Sequence, residues 1–136
     1  MMQAAALLAT ALLFGGMVLF SAGLAAFLFS VMPPPEAGKA LRKAFPHFYL
    51  FVMGSAAAGA VLVAPGDVVS SALLAAIALT TVPTRQVLMP AINAATDAGD
   101  RRRFGLLHGA SVAITVVHVL VAGYVLARFL APTGGA

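Results

Sequence analysis

The chain has no cysteine, no tryptophan and only four acidic residues in 136. Without cysteine there is no disulfide, no thiolate metal ligand and no thiol nucleophile. Charged residues make up 9% of the chain, where a soluble domain carries about 25%, so a solvated globular surface is excluded. No Gly-x-Gly-x-x-Gly opens a helix after a strand, and there is no P-loop, H-E-x-x-H or H-x-x-H, which removes the common nucleotide and zinc-protease signatures. No long linker, internal repeat or soluble domain interrupts the sequence. The basic residues give a net charge of +4, but they sit in short patches between apolar runs. That is the pattern of membrane topology, and with no aromatic platform the expectation is no nucleic-acid partner.

What the chain does have is apolar residues: 62% of the sequence and a mean hydropathy of +1.03. The length fits a single domain. Four runs are long enough for the roughly 20 residues that cross a bilayer: about 4–32, 46–64, 68–89 and 104–131. Pro33-Pro34-Pro35 ends the first, because proline cannot continue a helix and restricts the residue before it. Segments 33–45 and 90–103 read as charged loops. Within the former, Glu36 to Phe45 reads as a short interfacial amphipathic helix. Pro46 suits the first turn of a second helix. Gly15, Gly16, Gly54 and Gly59 provide small surfaces for helix contact, and Asp67 is placed to cap the third helix. Pro83 leaves the carbonyl of Leu79 without its donor, with Thr80, Thr81 and Thr84 nearby to adjust the bonding.

The sequence therefore predicts an all-α, integral membrane four-helix antiparallel bundle. Its orientation follows from the charges. Lys39, Arg42, Lys43, Arg85 and Arg101 to Arg103 fall on one side, and Arg128 alone on the other. The positive-inside rule puts both loops in the cytoplasm and both termini on the non-cytoplasmic side. No cleaved signal peptide is expected, since no Lys or Arg precedes the first apolar run.

Polar residues of chemical interest gather at the cytoplasmic depth: His47, Tyr49, Arg85, Asn93, Asp97, His108 and Ser111. From His108, the residues Ser111, Thr115 and His118 fall within roughly 80° of helical arc at about 100° per residue. Turning that stripe to lipid would be costly, so His108 is expected to point inward, held by Asn93, Asp97, Arg85 or Tyr49. Asp97 and Asp100 lie in an arginine-rich segment that suits ion pairing or capping. Neutral imidazoles on different helices can ligate haem b or a divalent metal, so His47, His108 and His118 form an alternative ligand set. Ser111 lacks the acid that a Ser-His-Asp triad needs.

Two stretches resemble a known family. Pro90-x-Ile-Asn-Ala-x-x-Asp-Ala-Gly-Asp100, followed by Phe104-x-x-Leu-His-Gly-x-Ser-Val112, is similar to a bacterial four-span membrane family of unknown function related to the transmembrane protein 205 group. Gly15 to Phe20 (GGMVLF) and Phe45 to Tyr49 (FPHFY) extend the resemblance. The resemblance carries over to Phe45, Pro46, Tyr49, Pro90, Asn93, Asp97, Phe104, His108 and Ser111. This chain departs from it at Leu24 to Phe27, where the family tends to place a proline, and at Thr115, where it tends to place an asparagine. A distant, fold-level similarity extends to CopD-like copper-resistance proteins and HemJ-type protoporphyrinogen oxidases.

The resulting expectation is a non-enzymatic integral protein of the bacterial inner membrane, with no cofactor. Its partners would be the bilayer and either further copies or a larger membrane complex in which it is an accessory subunit. The alternative is a haem- or metal-binding membrane oxidoreductase using histidines at the cytoplasmic side.

Overall fold

A computed structural model describes residues 1–131. Those residues form four helices, each long and apolar enough to cross a membrane: α1 (Met2–Val31), α2 (Pro34–Val63), α3 (Val68–Asp97) and α4 (Arg101–Leu130). Each helix packs on its sequence neighbours, and α1 packs on α4 to close the ring. Leu8, Leu19, Val61, Leu79, Val87 and Leu120 are all more than half exposed on the outside. An apolar exterior of this kind is stable in lipid and would aggregate in water. The chain is a multi-pass integral membrane protein.

The breaks are set locally. Met32 is extended (φ −127°, ψ 151°) because Pro33 follows it, and Pro34 and Pro35 open α2 in a turn that needs no N–H donors. At the end of α3, Gly99 takes φ +67°. Its N–H donates to the Thr96 carbonyl and that of Asp100 to the Ala95 carbonyl, a Schellman closure that favours glycine. Asp100 then caps α4 by accepting from the Arg103 N–H at 3.0 Å. Asp67 caps α3 in the same way through the Ser70 N–H, also at 3.0 Å.

The segments read as loops, 33–45 and 90–103, are mostly helix. Pro34 to Phe45 is the first part of α2, which continues through Pro46 without a break. The reason is a continuous inward stripe of Ala37, Leu41, Phe48, Val52, Ala56, Ala60 and Val63, at the three-to-four spacing of one helix face. One lost hydrogen bond at Pro46 does not outweigh that packing. Residues 89–97 likewise complete α3, so only Ala98 to Asp100 separate it from α4.

α1 and α3 each contain one π-helical turn, at Leu19–Leu24 and Thr84–Leu88. Hydroxyls serve the carbonyls that these turns disturb. Ser21 donates to the Met17 carbonyl at 2.6 Å and Thr84 to that of Thr80 at 2.9 Å. The turn in α3 follows Pro83 directly, where the missing N–H already interrupts the α-helical bonding.

Lipid offers little hydrophobic drive between helices, so close packing holds them. Leu13, Met17, Leu74 and Ile77 are fully enclosed. Phe20 of α1 stacks on Phe48 of α2, with centroids 4.2 Å apart. The small residues divide into two groups. A Cβ added at Gly16 would lie 2.5 Å from the Phe51 ring, and one at Gly59 would lie 3.1 Å from Leu74, whereas Gly15 and Gly54 face open space. Gly16→Ala should therefore lower stability by about 1–3 kcal/mol, and Gly15→Ala should not lower it at all. Unfolding the two variants in mixed detergent micelles measures the difference, and equal losses would refute this packing.

Candidate functional site

The inward line of α4 is Ser111, His118, Ala122 and Val125. It brings polar groups against α2 and α3. Tyr49 of α2 is buried and its hydroxyl lies 3.3 Å from Ser111 Oγ. His118 Nε2 lies 2.8 Å from Thr80 Oγ1 of α3. Thr81 turns its hydroxyl back to the Ile77 carbonyl at 2.7 Å. Between these groups is a cavity of about 10 Å³, bounded by Met17, Tyr49, Thr81, Thr84, Thr115 and His118. All four helices contribute to it, and it has room for about one water molecule.

The other expected site residues do not converge on this layer. Asp97 faces Arg42 instead, in a two-pronged pair with Nη1–Oδ1 at 2.6 Å and Nη2–Oδ2 at 2.9 Å. Arg85 is half-buried and its Nε donates to the Pro46 carbonyl at 3.3 Å. Among the described residues it meets no carboxylate. Asn93 is half-buried on α3 and His47 is exposed on α2.

The inward placement of His108 is overturned. His108 is exposed and lies flat on Phe104, with centroids 5.2 Å apart and planes 7° apart. Asn93, Asp97, Arg85 and Tyr49 do not hold it. The cause is rotation along α4: at about 100° per residue, His108 sits roughly 60° from Ser111, at the edge of the packed face. The polar stripe therefore divides, with Ser111 and His118 inside and His108 outside. The three histidines thus have three different environments. Among the described residues no three His, Cys, Asp or Glu side chains form a group that could hold a metal ion.

Sequence reasoning missed the contact at the other end of the molecule. Arg128 Nε donates to Asp67 Oδ2 at 2.8 Å, and Nη2 to Oδ1 at 2.9 Å. The same Nε reaches Ser70 Oγ at 3.1 Å, and the Ser70 hydroxyl donates to Asp67 Oδ2 at 2.6 Å. Nη1 donates to the Tyr124 hydroxyl at 3.3 Å. The Arg128 guanidinium, with help from Ser70, holds the Asp67 carboxyl well below the usual carboxylate range. A signal was available in the topology: Arg128 lies in the last turn of α4 and Asp67 is the acid that ends the α2–α3 turn, so an up-and-down bundle brings both to the same end.

Residues 8–101 match a family described as a domain of unknown function, DUF4149. The chain belongs to that family. The match covers α1 to α3 and the turn into α4, and so includes Tyr49, Thr80 and both partners of the Arg42–Asp97 pair. No curated protein matches the chain, and no solved structure matches it.

Two predictions follow from these contacts. Asp67 binds its proton less readily when folded than when unfolded. The stability it supplies is therefore complete above the unfolded value of about 4 and is lost only as pH falls below it. Thermal melts in detergent between pH 7 and pH 3 should show this acid loss in the parent chain and a flatter profile in Asp67→Asn; identical profiles would contradict the pairing. For the histidines, chemical unfolding should place His118→Ala about 1–3 kcal/mol below the parent and His108→Ala within about 0.5 kcal/mol of it. The reverse order would restore the inward His108.

Proposed function

We propose that this protein is a non-enzymatic, multi-pass membrane protein that acts by assembly, as an accessory subunit of a larger membrane complex. One observation carries the reading: the polar groups expected to form a catalytic constellation do not converge, His47 and His108 being exposed and apart while others are engaged elsewhere. Asp97 is taken by Arg42, Tyr49 faces Ser111, and Arg85 is turned to Pro46. The enclosed space among the four helices is about 10 Å³, too small for a substrate. The outer face of α4 supports assembly. Gly105 and Gly109 look onto open space and Ala113 is exposed one further turn along, a spacing that lets another helix approach closely. Arg101, Arg102 and Arg103 are exposed at the start of that face. Two copies inserted in the same sense would bring these charges together, which favours a different chain with carboxylates at that level.

The same reading includes an antiparallel bundle with both termini on the non-cytoplasmic side of a bacterial inner membrane. Arg42–Asp97 ties α2 to the far end of α3, while Asp67–Arg128 ties the α2–α3 turn to the far end of α4. All but one of the eight Lys and Arg residues then share the cytoplasmic side. Kinship with the transmembrane protein 205 group belongs to this proposal and is supported by the fourth-helix motif, Phe104 to Val112, which lies beyond the matched residues.

Extraction from native membranes in a mild detergent tests the role. The expected result is a colourless particle several times heavier than the 13.8 kDa chain, reduced to the single chain by Gly109→Leu. A lone chain carrying a Soret band would instead establish the haem-binding alternative.

A further inference from the structure

Arg85 lies about 18 Å inside α3, counted from its end at Asp97 at 1.5 Å per residue. It is half-buried, and its one hydrogen bond among the described residues runs from Nε to the Pro46 carbonyl of α2. Nη1 and Nη2 make none there. Neither is sealed, because no fully buried side-chain nitrogen among the described residues lacks a partner. Most of the five donors of a guanidinium are thus unused. No acid among the described residues serves them. Asp67 is held by Arg128 and Asp97 by Arg42. Asp100 caps α4. Glu36 is ten residues before Pro46 on α2, about 15 Å along the axis. A cation at this depth without an anion is costly, so the anion must come from outside the chain.

The contact with Pro46 sets Arg85 against a single row of α2. Lys39, Lys43, Pro46, Leu50, Ala57 and Val61 fall within roughly 60° of helical arc at about 100° per residue. All but Pro46, which meets Arg85, are exposed. The row changes character at Pro46. On one side it is cationic, and neither lysine is in an ion pair among the described residues. Lys43 is only three residues from Pro46, about 4.5 Å along the axis, so its ammonium and the Arg85 guanidinium can bracket one phosphate. On the other side it is apolar, with Leu50 49% and Val61 73% exposed. From Leu50 to Val61 it runs about 16 Å, close to half of the roughly 30 Å hydrocarbon core. That is the depth of one leaflet. A cationic head and one leaflet of apolar track match the two parts of a phospholipid. A choline headgroup would bring its own cation to three others, whereas an anionic headgroup complements them.

We infer that this row binds an anionic phospholipid, its phosphate held by Arg85, Lys43 and Lys39 and one acyl chain lying along Leu50, Ala57 and Val61. The site is built on α2 and α3 and shares no residue with the outer face of α4. It goes beyond the assembly role and does not depend on it. The cations supply the selection, and the track makes the ligand a lipid rather than a free anion.

The test is native mass spectrometry of the full chain, delipidated in a non-ionic detergent and titrated with phosphatidylglycerol. Phosphatidylcholine is the control. The expected result is saturable binding of phosphatidylglycerol, and clearly weaker binding of phosphatidylcholine. Arg85→Gln should weaken phosphatidylglycerol binding roughly tenfold or more, the loss of hydrogen bonds between charged groups. Lys39→Gln combined with Lys43→Gln, at two exposed positions, should weaken it as well and serves if the Arg85 variant fails to fold. Changing Arg101, Arg102 and Arg103 together to Gln removes more charge but should alter it by less than about twofold. Equal binding of the two lipids would overturn the inference, and so would a loss at Arg101 to Arg103 as large as that at Arg85. Displacement of the lipid by inorganic phosphate, beyond the effect of chloride at equal ionic strength, would make the site one for a free anion. Loss of a protein partner in Arg85→Gln with phosphatidylglycerol binding unchanged would also overturn it, because a partner's carboxylate would then be the missing anion.

Discussion

The fold depends on the two-pronged pair of Arg128 with Asp67. α4 follows α3 after a three-residue connection, Ala98 to Asp100, so one end of it is fixed by the chain itself. Its other end is fixed by Arg128, which reaches the turn between α2 and α3 and binds both carboxylate oxygens there. Asp67 serves twice, as the cap of α3 and as the counter-ion of α4. An arginine this close to a helix end can also snorkel to the interface, but a carboxylate already ordered by Ser70 needs little further reorganisation to receive it. Closing the ring on α4 is what brings Ser111 to Tyr49 and His118 to Thr80.

Between the two ionic ends, the helices are held by shape and by sparse polar contacts. Interhelical hydrogen bonds in membranes contribute only about 0.6 kcal/mol on average, so neither Tyr49–Ser111 nor Thr80–His118 can set the fold. Each instead removes the penalty of a polar group inside the bilayer. The larger share comes from contacts such as Gly16 against Phe51 and Phe20 on Phe48. The threonines of α3 are part of the same economy. Thr80, Thr81 and Thr84 all bond backbone carbonyls around Pro83, and Thr80 also meets His118.

Much of the fold was legible because its signals are local. Apolar runs gave four helices, Pro33 to Pro35 gave the first break, and Asp67 and Asp100 gave two caps. The length of α2 was not legible at Pro46, because proline argues locally for a start while the inward stripe from Ala37 to Val63 argues for continuity, and packing won. The site was less legible for a related reason. Helical periodicity correctly grouped Ser111 with His118, but it could not tell which edge of the arc was covered, and His108 fell on the uncovered side. Asp67–Arg128 spans sixty-one positions, and no periodicity reports a contact of that separation.

The most direct test of the central pair is a double-mutant cycle on Asp67 and Arg128. Asp67→Asn keeps an oxygen for capping α3, and Arg128→Gln keeps much of the side chain, so the cycle isolates the charge pair. Unfolding of the parent, both single variants and the double variant would be followed in one detergent at neutral pH. If the pair closes the ring, each single change lowers stability and the double variant loses little more than either alone. Losses that simply add would contradict the account, because the two residues would then act independently.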